Sequence, residues 1–225
     1  MMKLNPVIFI FFLQVLLFSW GCGETGKLVY PSKASFYPTK KDKFIIYSYE
    51  EFNHDAFNSS TDTTTYWIKE TIETPFIDQE KDSSYQLRID YSYDEGLNWE
   101  FQYYAVIKVD NYSLERSDLD VKRIKLSFPV KDNKSWDINM LNSQETQYGF
   151  YQNTDGLYRI KDSLFSETVI VNLGDQEDII FTIFEEEVYA RGIGLISRKF
   201  RDIETQPGKY KDGIEYTKTI ISSNW

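Results

Sequence analysis

The chain has one cysteine, Cys22, and one histidine, His54, in 225 residues. A lone cysteine forms no disulfide within the chain, and a zinc site of thiolates and imidazoles lacks its donors. No Gly-x-Ser-x-Gly elbow is present, so a Ser-His-Asp triad would have to draw on His54, set in the polar run 53–62. Alanine is scarce, and no window of a dozen residues carries a helical stripe, 160–170 being the nearest approach. The formal charge of −10 repels phosphate backbones and anionic headgroups, which excludes nucleic acid as a partner.

What is present begins at the start of the chain. Lys3 precedes an apolar run from Pro6 to Phe18 broken only by Gln14, followed by Ser19-Trp20-Gly21-Cys22. A basic residue, a short apolar stretch and small residues before the cut make an export signal, and the run is too short to span a bilayer comfortably. Ser19, Gly21 and Cys22 resemble the bacterial lipobox, with Trp20 an unusual occupant of its middle position. The resemblance implies removal of residues 1–21 and acylation of Cys22. Each buried methylene then contributes roughly 0.8 kcal/mol, so a multiply acylated cysteine holds firmly. Gly23 stands where an inner-membrane retention signal has Asp, which favours the outer membrane. Residues 22–35 read as a tether and 36–225 as one β-rich domain.

Aromatic residues make up 17% of the chain, and Thr, Ile and Ser are plentiful. Ring and branched side chains suit a pleated, half-buried surface, so the fold class is all-β. Tyr85, Leu87, Ile89, Tyr91 and Tyr93 alternate with polar residues, Asp94-Glu95-Gly96 supplies a turn, and Leu97, Trp99, Phe101 and Tyr103 resume the alternation. Further strands are expected at 43–52, 63–73, 105–116, 121–128, 145–151, 179–190, 193–203 and 214–222, with Asn111, Asp155-Gly156, Gly174-Asp175, Pro207-Gly208 and Asp212-Gly213 among the turn signals. Short turns between consecutive strands make an antiparallel meander. Tyr37-Pro38-Thr39-Lys40-Lys41-Asp42-Lys43-Phe44 is echoed by Phe128-Pro129-Val130-Lys131-Asp132-Asn133-Lys134-Ser135-Trp136. The echo suggests two related β units, 36–127 and 128–225.

These two segments, with Tyr189-Ala190-Arg191-Gly192-Ile193-Gly194-Leu195-Ile196, resemble a family of uncharacterised lipoproteins of Bacteroidetes. Asp42 and Phe44 depart from that family's usual Gly and Trp. The resemblance implies an antiparallel sheet curled toward a barrel or half-barrel, and no activity.

Gly192-Ile193-Gly194 lacks the third glycine and following helix of a phosphate loop and reads as a bulge or kink. Asp78, Glu80 and Asp82 have calcium-loop spacing, but Ser83 stands where that loop needs Gly, leaving a solvated acidic turn. Glu185-Glu186-Glu187 likewise reads as a wet face. Thr63 and Ser163 sit in Asp-(Ser/Thr) triplets resembling O-glycan acceptors of Bacteroidetes envelopes. No enzyme activity, cofactor or metal is expected. The leading expectation is a membrane-anchored, non-catalytic module that binds or scaffolds another envelope component. One alternative is a carrier or sensor of a hydrophobic ligand in a barrel-like cavity, facing Trp67, Trp99, Trp136 and Phe181; another is glycan capture by exposed Tyr and Trp.

Overall fold

The computed structural model describes residues 36–78, 81–205 and 208–225. The expected signal 1–21, the lipidation site Cys22 and the tether 22–35 lie outside the described residues. Twelve strands form: β1 Phe44–Asp55, β2 Ser60–Ile77, β3 Ser83–Ser92, β4 Glu100–Val109, β5 Ser113–Asp118, β6 Val121–Ser127, β7 Ser135–Asp137, β8 Tyr148–Ile160, β9 Ser163–Glu177, β10 Phe181–Ala190, β11 Gly194–Glu204 and β12 Asp212–Ser223. They make a single antiparallel sheet in the order β6-β5-β4-β3-β2-β1-β12-β11-β10-β9-β8-β7, curled into a nearly closed barrel. The all-β meander expected from composition and alternation is therefore what the chain builds.

Strands adjacent in sequence are hydrogen-bonded except β6 and β7, and the ring is completed by β1 on β12, with Tyr49 opposite Lys218 and Phe52 opposite Glu215. The discontinuity thus lies in the middle of the chain. Side chains and loop atoms stitch it. Tyr151 Oη donates to Ser127 O at 2.8 Å and accepts from Ser127 N at 2.9 Å. Trp136 Nε1 donates to Ile124 O, Ile124 N donates to Ile138 O, and Asn142 Nδ2 donates to Lys122 O. Edge groups that would otherwise invite another strand are satisfied in this way.

Alternation sorts the barrel wall into faces. Ile45, Tyr47, Ile68, Ile72, Leu87, Ile89, Ile107, Val169 and Val171 point inward into one core, and Phe36 and Tyr37 enter the same core ahead of β1. The two echoed segments form the same turn. Asp42 (φ 64°) and Asn133 (φ 62°) both adopt the left-handed conformation. Lys43 N donates to Lys40 O and Lys134 N to Lys131 O, while Asp42 and Lys43 pair with Ile72 as Asn133 and Lys134 pair with Tyr151.

Several local readings change: Gly174-Asp175 lies within β9 and Asp212-Gly213 opens β12, so neither is a turn, and the alternation expected through Phe101 and Tyr103 is broken by a bulge that leaves Phe101 exposed. The expected strand 105–116 is divided at a turn where Asp110 Oδ1 accepts from Tyr112 N and Ser113 N. Residues 153–177, largely without a strand assignment from the sequence, form most of the β8–β9 hairpin, and the helix-like window 160–170 is its tip and descending arm. Asp155-Gly156 is not a turn but a bulge within β8, where register shifts at three places break the period of two. The expected bulge at Gly192-Ile193-Gly194 is the β10–β11 turn, with Gly192 (φ 78°) inside it and Gly194 (φ 112°) opening β11, and Gly194 leaves room for the Tyr37 ring, which a Cβ would meet at 3.3 Å.

Candidate functional site

A cavity of about 290 Å³ interrupts the packed interior. Asp118 and Val121, flanking the β5–β6 turn, line it, so it reaches the barrel end that carries this turn; toward the other end Ile45, Tyr47 and Tyr37 close the core. One wall is aromatic. Tyr91, Tyr66, Tyr49 and Tyr216 stand on the four neighbouring strands β3, β2, β1 and β12, with successive ring centroids 4.7, 4.7 and 5.2 Å apart, and Phe200 on β11 stacks on Tyr216 behind them. Tilted ring contacts of this kind favour a fixed arrangement. Burial raises the Tyr49 hydroxyl's pKa, and its hydrogen bond to Glu51 raises it further; burial pushes Tyr216 up to about 12 against the opposing pull of Arg198.

The rest of the lining is charged. Arg116 pairs with Glu70 and Asp118, and Lys218 with Glu70 at 2.6 Å. Lys125 pairs with Glu187 at 2.5 Å, and Arg198 with Glu185 at 2.6 Å and Glu187 at 3.5 Å. Burial alone would raise the pKa of Glu70, but Arg116 and Lys218 outweigh it and hold the carboxyl down to about 2. Lys125 and Arg198 likewise outweigh burial at Glu187 and hold it down to about 2. Buried charges persist only when paired in this way.

Arg123 is the exception. Among the described residues no carboxylate forms an ion pair with it: Nη2 donates to Gln144 Oε1 at 2.7 Å, and buried Nε has no hydrogen-bond partner. The β5–β6 register sets it directly opposite Arg116. The lining itself carries five cations, Arg116, Arg123, Lys125, Arg198 and Lys218, and two carboxylates, Asp118 and Glu187, with Glu70, Glu185 and Glu51 bonded to lining residues from just behind it.

None of the aromatic residues proposed from sequence to face a ligand lines this cavity. Trp136 is buried against Tyr151, with ring centroids 4.7 Å apart, at the β6–β7 seam. Trp67 and Trp99 are half-buried and pack beneath Gly96, whose missing Cβ would meet their rings at 3.0 and 3.3 Å. Phe181 begins β10 and is exposed. Thr63 is exposed but lies within β2, whereas Ser163 is exposed directly after the β8–β9 turn. Glu185-Glu186-Glu187 is not a wet face: Glu187 is 1% exposed, because its partner Lys125 arrives from sixty-two residues away. The signal for this site was a set of charged residues in phase with buried apolar ones, such as Glu70 between Ile68 and Ile72.

Two other clusters are accounted for by structure. Thr61, His54 and Glu215 form a line across β2, β1 and β12, with contacts of 2.9 and 3.1 Å, and Glu215 also pairs with Arg201 and Lys211. Their places alternate with those of cavity-lining Tyr66, Tyr49 and Tyr216, which puts the line on the outer face. Asp78 and Asp82 hold Lys108 at 3.9 and 2.8 Å. Among the described residues no three His, Cys, Asp or Glu side chains are grouped to hold a metal ion.

No family model matches the chain, and no curated protein matches it. A solved structure similar to it is that of a Bacteroides fragilis NCTC 9343 protein described as exported and as having a YmcC-like fold. The two are 12% identical over 85% of this chain and 99% of that one, with a TM-score of 0.38.

Proposed function

We propose that this protein is a non-catalytic binding module of the bacterial cell envelope, held to a membrane by lipid on Cys22, that takes a small polar ligand into the open end of its barrel. The observation that supports this most strongly is the tyrosine-walled, charge-lined cavity inside the barrel. Ligand pockets commonly occupy about 300 to 1,000 Å³, so this one suits a small molecule. Seven of its lining side chains are charged, namely Arg116, Asp118, Arg123, Lys125, Glu187, Arg198 and Lys218. A purely hydrophobic ligand would strip water from these groups and offer nothing in return. The lining thus favours a polar ligand over the hydrophobic cargo of the carrier reading.

The cavity reading is tested by thermal denaturation of the full chain in detergent against a panel of sugars and small organic acids. A member of the panel raises Tm in the wild type and not in Val121→Trp, which fills the opening. If no compound stabilises the wild type in a way that Val121→Trp removes, the reading fails. Anchoring is tested separately. Cys22→Ser abolishes palmitate labelling and moves the protein from the membrane to the soluble fraction; a variant that stays with the membrane would refute the lipid anchor.

A further inference from the structure

The chemical class of the ligand follows from the unmatched arginine and the ring wall beside it, and this inference rests on the cavity reading above. Two arginines face each other across β5 and β6, and only Arg116 has carboxylates. Like charges directly opposed on a sheet are unfavourable. The arrangement is relieved by an anion, and a planar guanidinium is suited to receive a carboxylate. Gln144 fixes one end of Arg123 at 2.7 Å, while Nε, buried and without a protein acceptor, is left to donate.

On the neighbouring wall the faces of Tyr49, Tyr66 and Tyr91 offer apolar surface. Around them are groups able to meet hydroxyls: Asp118 and Glu187 accept, and the tyrosine hydroxyls donate and accept. A flat aromatic acid would use the rings and Arg123 but leave these groups unmatched. A ring with one C–H face, several hydroxyls and one carboxylate uses all three. We propose that the cavity binds a carboxylated sugar of the hexuronate type, its carboxylate on Arg123 and its C–H face against the Tyr49–Tyr66–Tyr91 wall.

The test is titration calorimetry of the full chain in detergent with glucuronate, glucose and benzoate, using wild type, Arg123→Gln, Arg123→Lys and Val121→Trp, with circular dichroism to confirm that each variant is folded. Glucuronate should bind at least roughly tenfold more tightly than glucose, and Arg123→Gln should erase that preference. Arg123→Lys should keep part of it, and added salt should weaken glucuronate binding more than glucose binding. Equal binding of glucose and glucuronate, unchanged in Arg123→Gln but lost in Val121→Trp, would overturn the carboxylate assignment while leaving the cavity reading standing. Benzoate binding as tightly as glucuronate would overturn the sugar. If neither sugar binds, the inference is wrong, and the wider panel decides the cavity reading independently.

Discussion

Tyr151 has no exposed surface, yet its hydroxyl is bonded at both lone pair and proton, to Ser127 N and Ser127 O. Such a residue does the work of a missing strand neighbour, filling the core with its ring and closing the sheet edge with its oxygen. Tyr151→Phe keeps the ring and orphans both backbone groups of Ser127. It should lower stability by about 1–3 kcal/mol, measured by urea denaturation, while the same change at exposed Tyr148 should leave the midpoint unmoved; equal midpoints for the two variants would contradict this account of the seam. The seam tyrosine and the buried carboxylates share a reason for being hard to read in sequence. Glu187 and Lys125, or Tyr151 and Ser127, are matched only across the fold, and neither member of a pair announces its partner.

Among elements, β3, whose own alternation is unbroken, was legible, whereas β8, whose pairing with β9 shifts at three places, was not. β3 runs in phase from Tyr85 to Tyr91, and its turn is built as Asp94-Glu95-Gly96 suggests, with Asp94 accepting from Asn98 N and Gly96 at φ 86°. β8 has irregular pairing with β9 beyond Tyr151, so its inward and outward residues change places and no single period describes it. The tip of this hairpin is nevertheless anchored, since Tyr158, Ile160 and Phe165 pack on Val188, Ala190 and Ile196. Glycines divide in a similar way by what surrounds them. Gly213, at φ 120°, would place a Cβ 2.2 Å from the Asp202 carbonyl oxygen, whereas nothing lies within 4 Å of one at Gly192. Gly213→Ala should cost about 3 kcal/mol or more, because the obstacle is the backbone of β11. Gly192→Ala should cost only the left-handed conformation, about 1–2 kcal/mol. Equal thermal shifts in the two variants would contradict the distinction.

For the whole molecule, the charged interior predicts an acid response of definite sign. Glu70 and Glu187 are held down to about 2 in the folded chain, where burial works against ionisation but the neighbouring cations prevail. Their folded values lie below the unfolded value of 4.5, so their contribution is complete above that value and is lost as pH falls through 4.5 toward 2. The loss is on the order of 3 kcal/mol for each carboxylate. Urea midpoints measured from pH 6 to pH 2.5 should fall steadily through that window, and a flat profile would mean that these pairs do not stabilise the barrel.

The sequence by itself determined the all-β class, the antiparallel meander, most strand positions and the expectation of an exported, lipid-bearing chain. Those properties reside in periods, turn residues and a short linear signal, all of which are local. Only the tertiary structure decided that β1 closes on β12, that the break falls between β6 and β7, and that the inward faces of distant strands meet around a cavity lined by an arginine, Arg123, that no carboxylate pairs. Closure and charge pairing depend on which strands become neighbours, and that is a property of the whole curved sheet, not of any segment within it.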